Sequence, residues 1–175
     1  MRTARLDIEP TDHGHVDGLI AALDHPSVGD YIGGPDVTTA AALHERIDGL
    51  RAGPPAHFAE DHWLNFVIRR RDDGLIVGRL EATLYDGWGE VAYLVGPPFQ
   101  GNGYATEGVR WLIDHIADRW GIGELWATVD PRNAASIRLL DRVGFRLQTE
   151  PARMPGSYDE GDLVYRLGRP TQPSS

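Results

Sequence analysis

Residues 96–108 read GPPFQGNGYATEG, with glycines at 101, 103 and 108 set among small and polar residues. So bare a backbone can approach a ligand closely, and glycine accepts conformations that other residues resist. Directly afterwards, Ala105, Val109, Leu112, Ile113, Ile116 and Trp120 recur on one helical face, and Gly121 ends the pattern. The loop therefore opens a helix over Tyr104–Trp120. The first N–H groups of a helix lack intrahelical acceptors, and its dipole makes that end positive. The stretch thus predicts a cradle for an anion such as a pyrophosphate.

Upstream of the loop lies a β-meander. HWLNFVIRR alternates, RDDG turns, LIVGRLEATLY is the partner strand, DGWG turns again and EVAYLV is the third strand. Before it come a short strand near Arg5–Ile8 and a helix from Thr11–Asp12, in which Val16, Leu19, Ile20 and Leu23 share a face. A second helix is expected over about Thr38–Arg51, between a threonine cap and Gly53-Pro54-Pro55. Downstream, ELWATV reads as a strand and DPRNAASIRLLDRVG as a helix with Pro131 near its first turn and Gly144 at its end. FRLQTE and DLVYRLG close the chain as strands. This order predicts one mixed α/β domain over residues 1–175, with residues 168–175 as a frayed tail.

A chain of 175 residues is large enough for a proper core, and 41% apolar with 25% charged residues is an ordinary globular composition. No run is long enough to span a membrane and no apolar segment follows Met1, so a cytoplasmic protein without a membrane partner is expected. The absence of cysteine excludes disulfides, thiolate metal sites and a cysteine nucleophile. A net charge of −9 argues against nucleic acid as a partner and favours a cationic one.

Three phosphate-binding loops compete for the glycine stretch. A Walker A loop needs a lysine, and the chain has none. A dinucleotide fingerprint needs a third glycine where Thr106 stands, and it belongs after a parallel strand rather than a meander. The third is Q-x-x-G-x-A, met by Gln100, Gly103 and Ala105, with side chains at 101 and 103 kept absent so that an anion can enter.

About 30 residues downstream, NAASIRLLDRVGF places Asn133, Ser136, Gly144 and Phe145 around a helix. With these two motifs in this order the chain resembles the GNAT superfamily of acyl-CoA-dependent N-acyltransferases, from about Ala4 to Leu167. LDIEPTDHGHVDGL and DHPSVGDYIGG look like the RimJ/RimL type, the ribosomal-protein N-terminal acetyltransferases. The resemblance implies an α/β fold whose central, mostly antiparallel sheet is splayed at the coenzyme A site and flanked by helices. It implies acetyl-CoA as donor and a primary amine as acceptor: a protein N-terminus, a small-molecule amine or an aminoglycoside-like antibiotic. Succinyl-CoA as donor, or a non-catalytic acyl-CoA sensor, are the alternatives.

Carried onto this chain, the resemblance assigns backbone groups of Leu94 and Val95 to pantetheine. Gln100, Gly101, Asn102, Gly103, Tyr104, Ala105 and Thr106 fall to the pyrophosphate. Asn133 is assigned to pantetheine or an ordered water. Arg138 and Arg142 are candidates for the 3′-phosphate, with a solvated helix face as the other reading of each. Many members carry a tyrosine where this chain has Leu140; the RimJ/RimL type often has a serine matching Ser136, whose hydroxyl is expected to face the sulfur. Serine in a first helical turn is also a backbone cap.

Aminolysis of a thioester needs a base, because an amine near pKa 10 is mostly protonated at neutral pH. Glu90, read as opening the strand before the loop, is the candidate, against the plain reading of a solvated strand end. Glu81 and Glu107 stand in reserve. No G-x-S-x-G elbow is present, so direct transfer in a ternary complex is expected. Seven histidines show no zinc spacing, so no metal is expected. Tyr85 and Trp88, read at a turn, are candidate acceptor-pocket residues. The loop around Tyr31–Pro35 and the segment His57–Trp63 are the places where acceptor choice is expected to vary. Relatives often form homodimers; no residue pattern here marks one.

Overall fold

The computed structural model describes residues 1–32, 39–55 and 61–168. Seven strands form one sheet: β1 (Leu6–Pro10), β2 (His62–Arg70), β3 (Ile76–Tyr85), β4 (Trp88–Val95), β5 (Glu124–Val129), β6 (Arg146–Gln148) and β7 (Leu163–Gly168). Their spatial order is β1-β2-β3-β4-β5-β7-β6. Every pairing is antiparallel except β4 with β5. The fold is the expected mixed α/β arrangement.

Four helices flank the sheet: α1 (Val16–Leu23), α2 (Ala40–Ala52), α3 (Tyr104–Trp120) and α4 (Ala134–Val143). The sheet divides the core in two. Against one face, Val16, Leu19 and Leu23 of α1 and Leu43 and Ile47 of α2 pack on Val67 and Ile76. Against the other, Val109, Leu112, Ile113 and Ile116 of α3 and Leu139 and Leu140 of α4 meet Leu80, Val91, Leu125 and Phe145. Each such side chain, fully removed from water, contributes about 1.5–3 kcal/mol. The helical spacing of α3 was chosen by that burial.

Several boundaries differ from those read in the sequence. Strand β4 begins at Trp88, because Asp86–Gly87 alone make the hairpin turn and Gly87 takes the left-handed conformation that turn requires. Trp88 therefore lies in a strand, opposite Tyr85. The first helical segment is a short 3-10 turn, His13–His15, capped by Asp12, before α1 proper. Helix α2 starts after Thr39, whose hydroxyl accepts from the Ala42 N–H. Pro131 stands two residues before Asn133, the cap of α4. Strand β6 is only three residues long. Gly168 belongs to β7; the rest of the expected tail, and residues 33–35 and 57–60 of the two acceptor segments, lie outside the described residues. No helix among the described residues is long and apolar enough to cross a membrane.

Candidate functional site

Strands β4 and β5 pair over only three residues: Trp88 with Glu124, Gly89 with Leu125 and Glu90 with Trp126. Beyond Glu90, β4 continues to Val95 and β5 beyond Trp126 to Val129, and no further pair joins them among the described residues. Parallel strands that part company this way leave backbone N–H and C=O groups facing a gap, and such groups demand partners.

The glycine loop stands at the end of β4. Gly96 packs so closely on α1 that a Cβ there would come within 2.0 Å of the Ala22 carbonyl oxygen. Gly101 and Gly103 both adopt left-handed backbone, at φ of 78° and 80°. Glycine is thus required at 101 and 103 by the turn itself; space for an anion is a second consequence. Around a Cβ at 101 nothing lies within 4 Å. Gly103 precedes α3 and offers it no side-chain cap, and the first helical bond runs from the Glu107 N–H to the Gly103 carbonyl. The N–H groups of Tyr104, Ala105 and Thr106 precede that bond and have no intrahelical acceptor. This end of α3 can receive an anion.

Two loop side chains shape the loop instead of reaching outward. The Gln100 amide donates to the Val95 carbonyl at 2.9 Å, and the Asn102 amide donates to the carbonyls of Phe99 and Gln100, both at 3.1 Å. Val95 therefore already has one carbonyl lone pair engaged, a detail that falls on a residue assigned to pantetheine. Tyr104 is buried, with the Arg5 guanidinium 4.9 Å from its ring centre.

Glu90 is the last β4 residue paired with β5, and it is buried, 8% exposed. The reading of a solvated strand end is overturned: the hairpin turn ends three residues earlier, at Gly87, and a later loop covers this position. Tyr85 Oη donates to Glu90 Oε1, while the Ser157 N–H and hydroxyl both donate to Oε2, at 3.1 and 2.9 Å. Burial, then the neighbouring Glu90 carboxylate, push the Tyr85 phenol well above its ordinary value, so it remains a donor. Its ring stacks on Trp88 at 4.1 Å, and the Arg153 guanidinium lies 4.3 Å from the Trp88 ring centre. Trp63 pairs with Thr83 and Thr83 with Glu90, so Trp63 and Glu90 share a sheet face two strands apart. Tyr85, Trp88 and Glu90 are brought together; Trp63 is an exposed neighbour on the same face.

On the opposite face, α4 presents Ser136. Asn133 Oδ1 accepts from the Ser136 N–H at 3.0 Å and so caps the helix. Tyr93, on β4, reaches the Ser136 hydroxyl at 2.6 Å. Leu140 is buried at 1% and carries no polar group to this place.

A cleft of about 530 Å³ runs along the start of α3, lined by Thr3, Arg5, Gly103, Thr106, Arg110 and Arg142 among others. Arg142 is thereby brought beside the loop. Arg138 is exposed and is not among the cleft's lining residues. Arg5 and Arg110 were missed in the sequence: Arg110 follows the loop by two helical turns on the cleft-facing side, a spacing that marks it only once the cleft is known.

The reserve carboxylates have structural work. Glu107 accepts from Thr3 Oγ1 at 2.6 Å, Arg5 N at 2.8 Å and Arg5 Nε at 2.7 Å. Burial pushes its carboxyl up, but these donors outweigh that and hold it below its ordinary value. Glu81 pairs with Arg46 at 2.6 Å and Arg79 at 3.5 Å, joining α2 to β3. Tyr31 is exposed beneath Arg132, at 5.9 Å, next to the turn that leads into α4. No cluster of three or more histidine and acidic residues suited to a metal occurs among the described residues.

A sheet parted after Glu90, a bare helix N-terminus at the end of the parted strand and an arginine-lined cleft beside it together define an acyl-CoA N-acyltransferase scaffold. The chain belongs to the acetyltransferase (GNAT) domain family, which matches residues 5–146, and is an N-acetyltransferase of that family. It is similar to the uncharacterized N-acetyltransferase YnaD of Bacillus subtilis, 27% identical over 90 residues that cover 49% of this chain and 52% of YnaD. It is 25% identical to the uncharacterized N-acetyltransferase p20 of Bacillus licheniformis over 82% of this chain and 80% of p20. Among solved structures, it shares its fold with an acetyltransferase from Salmonella typhimurium that modifies the N-terminal serine of 50S ribosomal subunit protein L7/L12. That likeness has a TM-score of 0.73 at 18% identity and covers 95% of this chain and 96% of the other.

Proposed function

We propose that this chain transfers an acetyl group from acetyl-CoA to a primary amine within a ternary complex. The observation that carries the reading is the gap that opens after the Glu90–Trp126 pair, with Glu90 on one face of the sheet and Ser136 on the other. Acetyl-CoA supplies an activated acyl carbon, at which nitrogen attack breaks the carbon–sulfur bond and releases a thiolate. Backbone groups of Leu94 and Val95 hold the pantetheine arm. The N–H groups from Gly101 to Thr106 hold the pyrophosphate, and Arg142, with Arg5 and Arg110 nearby, faces the 3′-phosphate. The left-handed glycines, the uncapped start of α3 and the cleft arginines, which share the lining with Glu107 and Asp114, all suit such a ligand.

Glu90 is the base in this reading. A carboxylate offers about four acceptor sites, and Tyr85 and Ser157 use three. The remaining one takes the amine's proton, directly or through a water. Ser136 donates its hydroxyl hydrogen to the departing sulfur. The acceptor enters from the face that carries Glu90, Tyr85 and Trp88, where Ala92 is exposed. The net charge of −9 favours a cationic acceptor. A protein N-terminus is the first acceptor to try, given the shared fold with an enzyme that modifies one.

Thermal unfolding with acetyl-CoA, CoA, NAD and ATP in parallel tests the ligand. At about 100 times its dissociation constant a ligand adds roughly 2.7 kcal/mol, a rise of roughly 5–11 °C in Tm for a chain of this size. A rise with the CoA compounds alone is expected. No rise at saturating CoA overturns the reading. Release of free thiol with peptides bearing N-terminal Ser or Ala, a polyamine and an aminoglycoside then separates the acceptor classes; binding without release identifies a sensor.

A further inference from the structure

The hydroxyl pair formed by Tyr93 and Ser136 joins a strand to a helix across the α3 side of the gap, 2.6 Å between oxygens. Tyr93 is half-buried against the core, and its phenol lies 3.4 Å from the Ser136 carbonyl as well. A phenol is a far stronger acid than an aliphatic alcohol, and the alcohol oxygen is the better acceptor. Either oxygen can donate at this distance, and the greater acidity of the phenol favours Tyr93 as the donor. The serine oxygen then receives one hydrogen and keeps its own, which can no longer turn back toward Tyr93.

We propose, on the acyl-transfer reading above, that Tyr93 is a positioning residue: by donating to Ser136 Oγ it turns the serine's hydrogen toward the coenzyme A sulfur. Three features support this. The Ser136 backbone is fixed by the Asn133 cap, so the hydroxyl's freedom reduces to rotation about one bond. Burial pushes the Tyr93 phenol up to about 12, against the smaller opposing effect of Ser136, so it stays protonated throughout the range in which an amine is acetylated. Tyr93 also sits on β4 one residue before Leu94, so strand and hydroxyl are placed by the same backbone. Hydrogen bonds in series strengthen one another, and the donor at the end of the chain gains most. No proton leaves either hydroxyl: the amine's proton passes to Glu90, the sulfur departs as a thiolate, and the pair stabilises that charge.

The direct readout is the thiol of bound coenzyme A, titrated by the ultraviolet absorbance of its thiolate in the complex, without an acceptor. Ser136→Ala is expected to raise the midpoint by about one pH unit and Tyr93→Phe by about half, a threefold fall in thiolate fraction at fixed pH. The double variant should match Ser136→Ala, since Tyr93 acts only through the serine. Incorporating 3-fluorotyrosine at position 93, which acidifies the phenol without removing it, should lower the midpoint. It also serves should Tyr93→Phe fold poorly. A Tyr93→Phe midpoint equal to that of the unaltered protein, with Ser136→Ala raised, overturns the role of Tyr93 and leaves the acyl-transfer reading standing. Equal shifts from Tyr93→Phe in the presence and absence of Ser136 overturn it too. Failure of the unaltered protein to bind coenzyme A overturns the acyl-transfer reading itself.

Discussion

Ser157 closes on Glu90 from the loop between β6 and β7, its N–H and hydroxyl both donating to one carboxylate oxygen at 3.1 and 2.9 Å. The same serine's backbone carbonyl accepts from Thr128 Oγ1 at 3.1 Å, so the loop is tied to both strands that border the gap. On the acyl-transfer reading proposed above, Glu90 has two separable duties, holding the loop and accepting a proton. Glu90→Gln should lower kcat by roughly 100-fold, at the low end for loss of a general base, and flatten the acid limb of the pH–rate profile. Ser157→Ala loosens the loop while keeping the carboxylate, so it should raise the acceptor KM severalfold with the acid limb retained. Steady-state kinetics of both variants across pH 5–9 check the separation.

Gly103→Ala should cost about 1–2 kcal/mol, because a Cβ is disfavoured in left-handed backbone, but the added methyl has room, its nearest neighbour being Arg5 Nη2 at 3.4 Å. The fold therefore survives with a Tm lowered by roughly 3–6 °C. Coenzyme A affinity should fall by more than that strain, since relaxing the turn re-aims the N–H groups at the start of α3. Calorimetric titration beside circular dichroism measures both.

Arg142→Ala should weaken coenzyme A binding by about fivefold, the equivalent of roughly 1 kcal/mol for an exposed charged contact. Binding of 3′-dephospho-coenzyme A should be unchanged. Arg138→Ala should alter neither, as Arg138 is exposed and does not line the cleft. Competitive titration with the two ligands distinguishes the two arginines.

The contact from Glu107 to Thr3 and Arg5 should show itself in acid. Its carboxyl is held below the ordinary value of 4.5 in the folded chain. The ionised group therefore stabilises the fold fully above that value, and the contribution is lost as pH falls below it through the native value. At pH 7, Glu107→Gln should be less stable by about 1–2 kcal/mol, the scale of a charged hydrogen bond. The difference should narrow steadily below pH 4.5, as followed by urea unfolding at stepped pH.

Helix α3 was legible to the residue because six apolar positions repeat at its period and glycines stand at both ends. The meander was legible for the same reason, at period two. The start of β4 was not: Trp88 and Gly89 resemble turn residues, and only pairing with Tyr85 and Leu84 shows them extended. The glycine loop's role could be argued from its own residues, whereas the surroundings of Glu90 could not. Ser157 lies 67 positions away in a loop without periodicity, and nothing local marks it as a partner. Nothing in the sequence around Tyr93 marks it for the site. Its contact with Ser136 arises only where α4 crosses the end of β4, a fact of tertiary packing. Arg110 was lost among solvent-facing charges for a related reason: a cleft belongs to no single segment.

The parting of β4 from β5 also makes this sheet vulnerable. Exposed rows of backbone donors and acceptors normally occur at the margins of a sheet, where they invite another chain to add a strand. Here such a row lies in the middle, between strands whose outer sides are fully paired, so no charged rim or covering helix can guard it without blocking the gap. Whatever molecule completes the ladder does for the protein what a missing strand would do. Those amides of Val91–Val95 and Ala127–Val129 that face the gap should accordingly exchange with deuterium faster in the empty protein than their central position suggests, and slow sharply when the gap is filled. On the acyl-transfer reading, the supply of coenzyme A ligand then bears on how long the chain survives as well as on how fast it works.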